Sequence, residues 1–138
     1  MANECIPFYE DGDELTGYCT AAVTGKRFVM ISGDRLSGPG LVLSSTDTSG
    51  GNYRIAPATA AGRIAGVAAR DAAIGDTVLF LRGPGAGILP VTAGAAITAF
   101  EEVEVGAGGT AVPLASGVAV GVAMSGAANG ADAEIALY

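Results

Sequence analysis

Short apolar runs, separated by glycine-rich turn signals, are the feature that most constrains the fold of this chain. The runs recur about every eight to twelve residues, a spacing typical of a sandwich or barrel of short strands. The 22 glycines supply the positive φ angles that tight turns need. No window of roughly eleven or more residues carries the apolar stripe of an amphipathic helix. The sequence therefore predicts an all-β fold, a small β-barrel.

The apolar runs predict where the strands lie. They are residues 18–23, 27–32, 53–56, 63–70, 77–82, 88–91, 102–105, 111–114, 118–124 and 133–138. Any helix is expected to be short, and the most suitable segment is residues 93–99. The uncharged stretch 105–131 is interrupted by glycines and Pro113, so no membrane span is expected.

Part of the sequence is echoed at a constant spacing of 55 residues. Gly66-Val67-Ala68, Ala72-Ala73 and Gly75 return as Gly121-Val122-Ala123, Ala127-Ala128 and Gly130. Each copy has the pattern of a strand, a small-residue turn and a second strand. The echo is too short for a solenoid, and it predicts two related β-hairpins packed in one barrel.

The first 18 residues differ in character from the rest. They combine Pro7, the acidic run 10–14 and the aromatic side chains Phe8 and Tyr9, which suits an extended arm better than a core strand. Aromatic side chains on an arm are effective contact groups, because they bury a large area at a low entropic cost. We therefore expect an N-terminal extended arm over residues 1–18 and a single β domain over residues 19–138.

Composition limits what this domain does. Half of the residues are apolar, but many are alanine and tryptophan is absent, so the core is expected to be thin and burial between subunits to supplement it. All seven basic residues lie between Lys26 and Arg82, and every charged residue before or after this segment is acidic. A chain of net charge −7 without a basic stripe is unsuited to nucleic acid. The basic middle of one subunit would suit an acidic end of its neighbour.

The residues that carry most enzyme chemistry are missing. There is no histidine, which removes the commonest general base and most zinc sites, and Cys5 and Cys19 do not have metal-ligand spacing. The carboxylates form acidic runs that water would hydrate, and the run 11–14 lacks the spacing of a calcium loop. We expect no catalytic residues, no metal and no cofactor. The glycines of residues 83–87 predict a hairpin turn, since a phosphate-binding loop has different spacing.

Several segments together resemble the capsid-decoration, or head cement, family of tailed phages. They are TAAVTGKRFV (20–29) with ISG (31–33), GVAA (66–69) with DAA (71–73), PVTAGAA (90–96) leading to EVEV (102–105), and AEIALY (133–138). The resemblance covers nearly the whole chain except residues 37–49. It implies a β-barrel or β-tulip-like domain that forms a homotrimer and binds the major capsid protein. The implied location is the outer surface of the assembled head, at three-fold and quasi-three-fold positions, where the protein stabilises the capsid.

Site assignments follow as hypotheses. We expect the arm to contact the capsid through Ile6, Phe8, Tyr9 and Leu15, and the small-residue strand around Val118, Val120 and Val122 to pack at the trimer interface. The N-terminus carries no export signal, so synthesis in the host cytoplasm, with both cysteines as free thiols, is expected. The alternative is a phage-displayed β-rich binding module for a host-surface or carbohydrate ligand.

Overall fold

The structure, a computed structural model, describes residues 14–35 and 51–138 and is all-β. The first five strands are β1 (Glu14–Cys19), β2 (Phe28–Gly33), β3 (Tyr53–Pro57), β4 (Gly66–Ala68) and β5 (Thr77–Leu81). The second five are β6 (Ile88–Thr92), β7 (Glu102–Val105), β8 (Ala111–Pro113), β9 (Gly121–Ala123) and β10 (Asp132–Leu137). Single 3₁₀ turns occupy Pro84–Ala86 and Ala107–Gly109. Among the described residues no helix has the length and apolar character needed to cross a membrane.

The strands form two units of five. In the first unit, described over residues 14–35 and 51–82, the order β1-β3-β2-β4-β5 closes into a barrel because β1 pairs with both β3 and β5. In the second unit, residues 83–138, the order is β6-β10-β9-β7-β8. A single parallel bridge between Ala93 and Ala111 connects its two ends.

The second unit repeats the first, strand for strand. Strands β6 to β10 correspond in order to β1 to β5, and each pair of neighbours in the second sheet has its counterpart in the barrel. Even the closing contact is shared, because the parallel pair Cys19 and Ile55 in the barrel corresponds to the bridge between Ala93 and Ala111. The echo that predicted two related hairpins is therefore part of a larger duplication.

The backbone hydrogen bonds around the turns are duplicated as well. Equivalent N–H to carbonyl bonds are Val23 to Ala72 and Ile97 to Ala127, Gly75 to Cys19 and Gly130 to Ala93, Lys26 to Ala68 and Phe100 to Ala123, and Ala69 to Leu79 and Met124 to Glu134. Gly75 and Gly130 both have φ near +86, at +87 and +85. These two glycines are needed because an L side chain in that conformation is strained.

Two apolar clusters form the core of the part of the chain that the structure describes. One lies inside the barrel and is built around Ile55, Val78 and Phe80. The other fills the second unit around Val91, Val103 and Ile135, and it also takes in three residues of the first unit, Phe28, Ala58 and Val67. The two units are therefore joined through a shared core, since part of the second cluster is supplied by the first unit.

The prediction of an all-β barrel fold is confirmed, and each of the ten predicted strand segments overlaps an observed strand. The prediction of a short helix at residues 93–99 is wrong. The backbone there is instead held by bridges to distant segments, from Ala93 to Ala111 of β8 and from Ile97 to Ala127. Strand β1 also begins earlier than predicted, at Glu14, so residues 14–18 of the expected arm pair with the barrel strands β3 and β5.

Candidate interaction surfaces

Charge is divided between the two units. The described part of the first unit carries seven basic and four acidic side chains, a net charge of +3. The second unit carries five acids and no base, a net charge of −5. Lys26 and Asp132 join the two units across this boundary, with 2.7 Å between Nζ and Oδ2. An exposed ion pair of this kind contributes little to the free energy of unfolding. The separation of positive and negative charge between the two units is therefore more important for which partners each surface attracts.

Among the described residues, large apolar side chains are exposed mainly on the second unit. Its exposed set consists of Ile88, Phe100, Leu114, Val118, Met124 and Tyr138. Phe100 is the most exposed of them, at 81%, and its φ of +66 is unusual for a bulky residue. Apolar groups that gather on one side of a protein indicate a contact surface more strongly than groups scattered singly.

The three valines predicted at the trimer interface do not share a surface. Val118 precedes β9 and is exposed, and Val122 lies half-buried in β9 with its side chain on the outer face of the sheet. Val120 is only 5% exposed and packs in the core of the second unit. A side chain that is already buried has almost no area left to bury against another subunit. Only Val118 and Val122 are therefore available for contact from this set.

The residues predicted to touch the capsid are described only in part. Ile6, Phe8 and Tyr9 lie outside the described residues. Leu15 lies in β1 beside Phe80 of β5 and packs against the barrel core, where it is half-buried. Most of its side chain is thus engaged by the barrel, which leaves the segment before β1 as the remaining part of the expected contact.

A shallow apolar groove marks the surface of the first unit. Its lining includes the apolar residues Met30, Ile31 and Ile64 and one basic residue, Arg63. This combination suits an apolar side chain next to an acidic group on a binding partner. Sequence analysis missed the groove because its walls come from β2 and from the loop that leads to β4, which are brought together only by folding.

Glu104 is the one buried carboxylate among the described residues, at 7% exposure. Its Oε2 accepts hydrogen bonds from the backbone N–H groups of Ala115 at 3.1 Å and Gly117 at 2.6 Å. Gly117 has no room for a side chain, because a Cβ there would lie 2.7 Å from the Cα of Ala61. Glu104 therefore holds the loop before β9 against the first unit and has a structural role.

Reactive groups are sparse in the part of the chain that the structure describes. Within it, no three His, Cys, Asp or Glu side chains come together as a metal-binding group. Cys19 is a buried free thiol. Burial raises the pKa of Cys19 above its ordinary 9.0, the Asp76 carboxylate raises it further, and Arg70 opposes them. A buried thiol with a raised pKa is a poor nucleophile, so Cys19 behaves as a small apolar core residue.

Comparison with solved structures finds a protein that shares this fold. The N base of head fiber gp8.5 of bacteriophage phi29 superimposes with a TM-score of 0.69, over 91% of this chain and 92% of that chain, at 21% sequence identity. At this identity the likeness establishes a common fold. None of the curated proteins compared with the chain matches it.

Family membership comes from the sequence itself. Residues 9–138 match the phage cement protein family, and the chain belongs to that family. The resemblance in the segments between residues 20 and 138 is thereby confirmed. This family consists of structural proteins associated with the phage head, which places the protein among the components of the virion capsid.

Proposed function

We propose that the protein decorates the outer surface of the assembled phage head as a homotrimer, at three-fold and quasi-three-fold positions, and stabilises the capsid by bridging major capsid protein subunits. Membership of the phage cement protein family carries this proposal. It also suits a protein with a thin core and several exposed apolar side chains, since both favour burial against further protein.

Trimerisation would explain how weak individual contacts hold the protein on the capsid. Each subunit of a trimer brings its own contact, and linking three contacts raises their effective concentration at the surface. The trimer therefore binds far more tightly than one subunit does, without a large interface on any one capsid protein. Cementing follows because each trimer then contacts several capsid subunits at once.

The capsid contact is assigned to the N-terminal segment before β1. Residues 1–13 carry Ile6, Phe8 and Tyr9 and come before the first strand of the barrel. We expect removal of residues 1–13 to abolish co-sedimentation with mature heads while the trimer remains intact, because β1 is left whole. The deletion stops at residue 13, since Glu14 pairs with Leu81 of the barrel.

The binding experiment also separates this function from display of a ligand-binding module. Purified protein is mixed with heads that lack it and, in parallel, with host cell envelopes. Binding to heads, together with a higher temperature of DNA release from the decorated particles, supports the proposal. Binding to envelopes without binding to heads would replace it with the alternative of a host-surface or carbohydrate ligand.

A further inference from the structure

We propose that one face of the second unit is a docking site for a second copy of this chain. This docking face consists of Ile88, Phe100, Glu102, Leu114, Val122 and Ala136. Its partner is the basic first unit of the second copy, so that the contact joins two different surfaces. The inference rests on the proposed function, because it identifies the surface through which the trimer forms.

The centre of the docking face is a row of side chains across four strands. Glu102 of β7 lies beside Val122 of β9, which lies beside Ala136 of β10, which lies beside Ile88 of β6. The first unit has the same row in the same register. It runs through Phe28 of β2, Val67 of β4, Leu81 of β5 and Glu14 of β1. The two rows are therefore equivalent positions in the duplicated fold.

In the first unit this row is where the second unit binds. Phe28 and Val67 are at most 2% exposed because both pack into the core cluster of the second unit. The preceding turn takes part too, since the carbonyl of Lys26 accepts a hydrogen bond from the Thr92 N–H at 2.8 Å. The fold thus uses this face, with its flanking turn, to bind a neighbouring unit of the same kind.

In the second unit the equivalent face is open within the part of the chain that the structure describes. Phe100 takes the position of Lys26, and both have positive φ, +66 and +61. Whereas Lys26 is bound to the second unit, Phe100 leaves 81% of its surface exposed. A bulky residue in this conformation is strained, and the exposed aromatic ring makes no contact within the described monomer that would offset the strain. Ile88 and Leu114, at the edges of the face, are also exposed.

Charge identifies the occupant. The docking face belongs to the unit of net charge −5, and the described first unit has a net charge of +3. Two second units facing each other would bring like charges together, whereas a first unit against a second unit brings opposite charges together. The contact between the two units of one chain already joins opposite charges, since Lys26 of the first unit pairs with Asp132 of the second.

A contact between two different surfaces has a consequence for assembly. Each copy uses its second unit to bind the next copy and its first unit to be bound, so contacts of this type continue from copy to copy. They end in a closed ring when the rotation per copy is a simple fraction of a full turn. A three-membered ring is the case that matches the proposed trimer.

The test measures the mass of the oligomer that the full chain forms in solution, by sedimentation velocity and light scattering. Val122→Lys puts a charge at the centre of the docking face, and we expect it to raise the dissociation constant of the oligomer by more than about tenfold. Asn129→Lys is the control, because it adds the same charge to the same unit in an exposed turn at the opposite end of β10. Phe100→Lys is the second variant, since a residue exposed to 81% tolerates the change without unfolding.

The outcomes separate this inference from the proposed function. If Val122→Lys and Phe100→Lys are folded by circular dichroism and keep the wild-type mass, the docking face is wrong, whatever the result of head binding. A monomeric wild-type chain at all concentrations would overturn the docking face and the trimer together. A wild-type oligomer that ignores mature heads, but dissociates in both lysine variants, would remove the capsid function and leave the docking face standing.

The orientation of the contact has its own readout. In a Cys5→Ser background, Val122→Cys should give no disulfide-linked dimer on mild oxidation, because position 122 faces the first unit of its partner. Cys19 does not interfere, since it is buried. Efficient formation of a dimer linked through position 122 would show that two second units face each other. That result would refute the contact between unlike units.

Discussion

Substitution of Phe28 tests whether the two units unfold together. Its side chain is fully buried, and it packs with residues of the second unit although β2 belongs to the barrel. The site cannot close easily around a smaller residue, because the backbone of Gly109 already lies against that of Phe28, where a Cβ on Gly109 would be 2.6 Å from the Phe28 carbonyl oxygen. We therefore expect Phe28→Ala to lower the free energy of unfolding by about 3 to 5 kcal/mol.

The assay is urea unfolding followed by far-UV circular dichroism and tyrosine fluorescence. The chain has four tyrosines and no tryptophan, so the units are followed separately in a variant that keeps only Tyr53, in the first unit, and in one that keeps only Tyr138, in the second, with phenylalanine at the other tyrosine positions. Both signals should shift together, because the substitution opens a cavity in a core that the units share. Ile74→Ala is the control, since Ile74 is 70% exposed and should change stability by less than about 0.5 kcal/mol. A loss below about 1 kcal/mol, or a transition in which only one unit is affected, would refute the shared core.

Three further changes test individual features. Glu104→Ala should lower the free energy of unfolding by about 2 to 4 kcal/mol in thermal unfolding, because two backbone N–H groups lose a charged acceptor. Glu134→Ala, at an exposed position, is the control and should change stability little, and equal effects would contradict the role of Glu104. Gly75→Ala should cost about 1 to 2 kcal/mol by chemical denaturation, because its φ is +87, and an unchanged midpoint would argue against that conformation. Burial raises the pKa of Cys19, so the stability it contributes is present below its ordinary pKa of 9.0 and is lost as pH rises through the folded-state pKa. The pKa of Tyr138 is also raised, so unfolding curves between pH 8 and pH 11 should show a larger loss in the wild type than in Cys19→Ala, and equal losses would contradict the prediction.

The turn signals explain why so much of the strand pattern could be predicted. Glycines such as Gly75 and Gly130 adopt positive φ in turns, and the apolar runs near such turns have the short length that is typical of strands. The division of charge was equally visible, because it depends only on the order of residues. The error at residues 93–99 has the opposite cause. A run of small residues has weak preferences of its own, so backbone partners in distant segments decide its conformation.

The sites were harder to predict than the fold. The predicted strand 118–124 overlaps β9 only at residues 121–123, and the sequence could not show that Val120 packs inward while Val122 faces outward. Phe28 has the sequence environment of an ordinary barrel strand, and nothing local shows that it enters the core of the other unit. The echo between residues 66 and 130 indicated a repeat, but the match between the first strands of the two units is too weak in sequence to reveal its full extent.

The order of residues alone determined that this chain is all-β, lacks histidine chemistry and keeps its basic and acidic residues in separate segments. The first property depends on local conformational preference, and the other two follow directly from which residues are present and where they stand in the sequence. Tertiary structure alone decided that the segments fold as two copies of one unit, and that a face covered in the first copy is open in the second. That distinction depends on which distant strand packs against which face of the sheet. Alternation along a strand shows which residues share a face, but it does not show which of the two faces is covered.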